Sequence, residues 1–168
     1  MAICLSIPPT TFTWEYYDKS KKAKSLVDIS PLDFYNLHVK QHFDMDNKVC
    51  LISDPRPQNP VGQSYTVDCL GNVVGGRPTT YNNQPIEVLM DVAKAAIKSN
   101  VPVWFGCDVG KQMASKQGIL DLDVYQHKLV YGTDVNKVLN KSNRMIYGQS
   151  QMTHAMVLTG VHLNVWAK

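Results

Sequence analysis

Two periodicities alternate along this chain, and the changes from one to the other outline its elements. Over 85–98 the apolar residues Ile86, Leu89, Met90, Ala93 and Ile97 recur every three or four positions, the spacing that gives a helix one apolar face. Asn83 stands where its cap is expected. Ser30-Pro31-Leu32-Asp33 joins a capping serine, a proline suited to the first helical position and an early acid, and predicts a helix through about Phe43. Leu32, Tyr35, Val39 and Phe43 or His42 supply its inward face. Short β-prone runs predict strands over 2–7, cut off by Pro8-Pro9, and over 12–17, 49–53, 65–70 and 152–161. The stretch 101–109 is apolar almost throughout, the pattern of a strand buried on both faces. A short helix is expected over 133–139. Asp54-Pro55-Arg56-Pro57 and Gly75-Gly76-Arg77-Pro78 turn the chain between elements. Strands with few helices and long polar connections predict an α+β fold rather than a doubly wound sheet, whose helices and strands alternate regularly.

Composition narrows the class. The 168 residues with 44% hydrophobic content are enough to bury a core, and suit one domain or a domain with an appendage. A net charge of +3 is too slight to imply nucleic acid. The one basic cluster, Lys19-Ser20-Lys21-Lys22-Ala23-Lys24, reads as a solvated loop or helix face. Cys4, Cys50, Cys69 and Cys107 show no CxxC spacing or close Cys/His pairing, so no metal site or cofactor is expected. Free thiols in a reducing cytosol, hence a cytoplasmic protein, are the simpler reading. The apolar start is too short for a secretory signal, no run reaches transmembrane length, and the sequon Asn140-Lys141-Ser142 has meaning only in a secreted chain.

Five histidines are the candidates for chemistry. His38 and His42 lie four apart on the expected helix, but the pattern lacks the glutamate of a zincin motif and a third ligand. His127 sits in a polar context, and His162 follows Gly160 near a turn. His154 differs: in Gln151-Met152-Thr153-His154-Ala155-Met156-Val157-Leu158-Thr159-Gly160-Val161 it heads an apolar run whose strand would hold it rigidly. Rigid placement suits a general base; a core histidine bonded to a backbone carbonyl has the same local pattern.

The blocks themselves add a resemblance. Thr153-His154-Ala155 followed by an apolar strand is similar to the histidine segment of papain-like cysteine peptidases. Pro8-Pro9 with Phe12-Thr13-Trp14-Glu15-Tyr16, Val49-Cys50-Leu51-Ile52 with Asp54-Pro55-Arg56-Pro57, Tyr81-Asn82-Asn83-Gln84-Pro85-Ile86, and Val103-Trp104-Phe105-Gly106-Cys107-Asp108-Val109-Gly110-Lys111 resemble the bleomycin hydrolase family, nearly to Val161.

The resemblance implies part of a papain-like fold: 1–45 as part of a helical, hook-like insertion and 46–168 as an incomplete histidine-bearing, β-rich subdomain. It implies a thiol aminopeptidase in which a cysteine thiolate attacks the peptide carbonyl and a histidine shuttles the proton. His154 takes the histidine's role. No cysteine here stands in the Gln-x-x-x-Gly-x-Cys-Trp setting of the family's nucleophile; Cys107 matches a strand block and reads as packing. Asn164, in Asn164-Val165-Trp166-Ala167, only partly matches the family's Asn-Ser-Trp-Gly. Peptide substrates, a homohexameric ring and no membrane partner are implied for a full-length member. The chain alone is expected to be inactive, its nucleophile lying outside it, or to act only as a binding or oligomerisation module, with an exposed apolar face that seeks partners.

Overall fold

A computed structural model describes residues 2–71, 73–134 and 138–163. The chain divides into two compact units, Met1–Lys48 and Val49–Lys168, and mixes helices with strands in the α+β manner.

The first unit begins with a helical turn, α1 (Ala2–Leu5), ended by Ser6 at a φ of 64°. The strand expected over 2–7 is therefore absent. A β-prone run becomes a strand only against a partner, and none of the described strands pairs with it. β1 (Phe12–Tyr17) does form, as an antiparallel hairpin with β2 (Ala23–Ile29). Asp18 makes the turn: its Oδ1 accepts hydrogen bonds from Ser20 N at 2.8 Å and Lys22 N at 3.0 Å, in the manner of an Asx turn. The lysine cluster is thus the tip of a hairpin and the start of its second strand. β2 carries Lys24, Ser25 and Asp28 among its apolar residues, which dilutes the alternation that would mark it.

Ser30 caps α2 (Pro31–Phe34) as expected. Its Oγ accepts from Asp33 N at 3.1 Å and donates to the Asp33 carboxylate at 2.6 Å. The helix stops short of Phe43, widening into a π turn over Tyr35–Val39 that Lys40 N closes on Tyr35 O at 2.8 Å. The wider turn breaks the three- and four-residue register, so Leu32 and Phe43 are exposed while Tyr35 and Val39 are half-buried. The residue that packs is Phe34, whose ring lies 5.7 Å from Phe12 and 5.0 Å edge-on from Trp14. A 3-10 turn, Met45–Asn47, completes the unit.

The second unit holds β3 (Cys50–Ile52), β4 (Ser64–Tyr65) and β5 (Tyr81–Asn83) in the order β3-β5-β4, with β3 parallel and β4 antiparallel to β5. The strand expected over 65–70 survives only as β4, because β5 offers just three residues to pair with and Thr66 already turns its hydroxyl to Thr79 O at 2.8 Å. α3 (Ile86–Lys98) forms where the periodicity places it and packs against β3 and against β6 (Val103–Cys107). Its first turn has no side-chain cap, since Pro85 occupies the N-cap position. Asn83 is used elsewhere. β6 pairs antiparallel with β9 (His154–Leu158). The expectation of burial on both faces fails here: in a two-stranded sheet only one face is covered, and Trp104 is 75% exposed. Between them lie the hairpin β7 (Met113–Ala114) and β8 (Ile119–Leu120), α4 (His127–Tyr131) and α5 (Lys141–Ile146). The helix expected over 133–139 falls partly on 135–137, outside the described residues. Its flanks are not helical, because Gly132 ends α4 at a φ of 71° and Asn140 starts α5 with its side-chain oxygen on Asn143 N at 2.9 Å.

What is buried is polar. Among the described residues no hydrophobic side chain is buried, whereas Asn83 is wholly so and Asp54 is 7% exposed. Asn83 Nδ2 donates to the carbonyls of Asp54 and Asn59, both at 2.8 Å, and its Oδ1 accepts from Asp54 N at 2.8 Å. These bonds fasten the end of β5 to the turn after β3. Apolar side chains in both units stay open to solvent, among them Trp14, Leu32, Met90, Trp104 and Val157. Apolar faces have been laid down without being covered.

Candidate active site

His154 is the first residue of β9 and stands directly opposite Cys107, the last residue of β6. Directly opposed residues of an antiparallel pair share a face, with Cβ atoms about 5 Å apart. On that face Val103, Phe105, Met156 and Leu158 are half-buried, while His154 is exposed at its end. The arrangement therefore fixes the imidazole's root in a sheet and leaves its ring accessible. A core histidine bonded within the protein is not what forms.

Cys107 is half-buried, and burial together with the neighbouring Asp108 carboxylate pushes its thiol pKa up. A raised thiol stays protonated at neutral pH and is a poor nucleophile. So the two side chains share a face without the makings of a thiolate–imidazolium pair. The sequence reading of Cys107 as plain packing misses this proximity. The signal available was the pairing of two five-residue apolar runs, 103–107 and 154–158.

Close packing accompanies the pair. A Cβ added at Gly106 would run into the Met152 thioether and lie 3.1 Å from Met152 Cγ, so the small residue lets Met152 cross the strand. The approach to His154 is also held by polar contacts. Thr153 N donates to Cys107 O at 3.1 Å, and Val109 N donates to Thr153 Oγ1 at 3.2 Å. A cavity of about 250 Å³ lies beside these contacts, lined among others by Asp108, Lys111, Asp121, Arg144 and Gln149.

The other candidates disperse. His38 lies on the π turn of the first unit, exposed, with its ring 5.3 Å from Phe34, and His42 is exposed beyond that turn. His127 opens α4 between Tyr125 and Tyr131, at ring distances of 6.0 and 6.2 Å. His162 follows β9 and is exposed. Asn164 lies outside the described residues. Among those described, no group of three or more His, Cys, Asp or Glu could hold a metal ion, and no helix is long and apolar enough to cross a membrane.

Sequence reasoning also misses the charged cluster around Asp54. Arg56 reaches its carboxylate with Nη2 at 2.6 Å and Nε at 2.9 Å, and Asn59 Nδ2 adds a bond at 2.7 Å. The Arg56 hydrogen bonds outweigh burial and lower the Asp54 pKa from the usual 3.8 to about 2. Lys141, on α5, donates to Ser53 O at 2.6 Å, and burial draws its pKa down against the pull of Asp54. This cluster ties α5 to β3 and has the character of a structural joint.

Comparison with known proteins places these features. The Peptidase C1-like family profile matches residues 1–167. Chicken bleomycin hydrolase is 55% identical over 161 residues, covering 96% of this chain and 35% of that protein, and the human bleomycin hydrolase is 52% identical over the same length. Aminopeptidase C of Listeria monocytogenes is 39% identical over 163 residues, covering 97% of this chain and 36% of its own. The crystal structure of PepW from Lactobacillus rhamnosis superposes with a TM-score of 0.88 at 38% identity, over 98% of this chain and 36% of that one. The chain thus spans about a third of the length of the relatives it matches.

Proposed function

Because this chain belongs to the Peptidase C1-like family, we propose that it is the histidine-bearing portion of a bleomycin-hydrolase-like cysteine aminopeptidase, with His154 as its proton shuttle. The observation that carries the reading is the exposed imidazole at the head of a clamped strand, in a chain that shares 52–55% of its residues with bleomycin hydrolases. In such a reaction a thiolate adds to the carbonyl of the first peptide bond, the imidazolium protonates the departing amine, and the imidazole then draws a proton from the water that frees the acyl group.

The nucleophile in this proposal is a cysteine that the chain does not itself supply. Cys107 faces His154 with a raised pKa, which argues against its service as a thiolate. The uncovered apolar surface supports the same division, since a half-fold leaves bare the faces that the other half covers. All four cysteines are free thiols, in keeping with a reducing, cytoplasmic setting. A homohexamer acting on peptides remains the assembly proposed, on the family resemblance.

The test uses the native protein, purified from its own source. It releases amino-terminal residues from peptides, is trapped by a thiol-directed epoxide, and loses turnover on His154→Ala; absence of both activities sinks the reading. The 168-residue polypeptide expressed alone shows neither turnover nor trapping. Labelling of Cys107 that disappears in His154→Ala would make Cys107 the nucleophile instead.

A further inference from the structure

The five residues that lead into His154 are held from two sides, by the opposite strand with the turn that follows it and by the end of α5. Asp108 is the centre of that turn. Its Oδ1 accepts from Gly110 N at 3.0 Å, closing the turn on itself, and its Oδ2 accepts from Gln151 N at 3.4 Å, reaching across to the approach segment. Around it, Thr153 Oγ1 takes Val109 N at 3.2 Å, and the Lys111 ammonium donates to the Gln149 carbonyl. From the other side, Gln149 N and Ser150 N donate to Arg144 O at 2.8 and 3.0 Å. β9 pairs with β6 alone among the described strands, so its first residue has no second neighbour to steady it.

We propose that Asp108 is a positioning residue for His154, holding the imidazole at the angle and depth that proton transfer requires. This rests on the reading of His154 as a proton shuttle. A carboxylate suits the place because its two oxygens accept from two segments at once, whereas an amide has one acceptor oxygen and would set its NH2 against the second N–H. Charge-assisted bonds to backbone N–H groups are also about twice as strong as neutral ones. The gain is geometric: a misplacement of about 1 Å at a reacting group costs about a hundredfold in rate.

The experiment compares variants of the native protein on a peptide substrate. Asp108→Ala lowers kcat about 10- to 100-fold with KM changed less than twofold, and Asp108→Asn, which keeps one of the two bonds, falls between it and the parent. Thr153→Val lowers kcat in the same sense and Thr153→Ser restores it, which keeps the test alive should Asp108→Ala fail to fold. A folded Asp108→Ala protein with kcat within twofold of the parent overturns the proposal. So does a loss of kcat matched by an equal rise in KM. A second readout separates this from the wider reading. The 13C NMR signals of the His154 ring move toward values averaged by motion in Asp108→Ala whether or not turnover is present, and unchanged ring signals overturn the clamp. Full kcat in His154→Ala, by contrast, would remove the proton-shuttle reading while the ring signals still judge the clamp.

Discussion

Asp54→Asn removes the charge at the most buried ion pair among the described residues while keeping its size. The carboxylate's pKa falls from the usual 3.8 to about 2, chiefly through the Arg56 hydrogen bonds. At about 1.4 kcal/mol per pKa unit, that drop contributes about 2 kcal/mol to folding at pH 7. The sign follows from proton binding: the unfolded chain takes up a proton at higher pH than the folded one, so the stabilisation is complete well above pH 3.8 and is lost as pH falls through about 2. Roughly half of it remains at pH 3 and about one sixth at pH 2. Urea unfolding of the native protein and of Asp54→Asn, followed by circular dichroism from pH 7 to pH 2.5, should therefore show two curves that converge with acid. At pH 7 the variant melts about 4–8 °C lower. A stability difference that stays constant across this range refutes the assignment, because it would mean the carboxylate's charge has no folded-state partner.

Three further outcomes follow from particular contacts. Gly106→Val drives a side chain into Met152, and since Met152 is 75% exposed and can swing aside, the cost is about 1 kcal/mol in chemical denaturation; Met152→Ala in the same background recovers it. Phe34→Ala removes the ring that meets Phe12 and Trp14 and costs about 2 kcal/mol, half the value for a fully buried phenylalanine, with hydrogen exchange rising in the β1–β2 hairpin before the second unit. Iodoacetamide at pH 7 modifies Cys107 more slowly than the exposed Cys50 and Cys69, and Asp108→Asn speeds it by removing one of the two causes of its raised pKa; equal rates at all sites would contradict the burial of that thiol.

Much of the site was legible in the chain. Thr153-His154-Ala155 and the apolar run after it mark a strand headed by a histidine, and β9 starts at His154. The Ser30 cap and the α3 periodicity also carry through, because each depends on residues within one or two turns of one another. Where sequence reasoning failed, a distant partner decided. Residues 2–7 have β-prone side chains but no partner among the described strands, and 101–109 has the apolar content of a central strand but lies in a two-stranded sheet. Asn83 has the chemistry of a cap, yet its backbone is engaged by Gln63 and its side chain by Asp54 and Asn59.

By itself, then, the sequence determined the α+β class, the family resemblance, the local caps and the histidine that heads the last described strand. Only the tertiary structure decided that Cys107 stands opposite that histidine with its thiol pKa raised, that Asp108 and Thr153 bond the approach to it, and that the buried side chains among the described residues are polar. Periodicity and capping are written in neighbouring residues, whereas register and burial depend on segments some 20 to 50 positions apart, and no local pattern records which of them will meet.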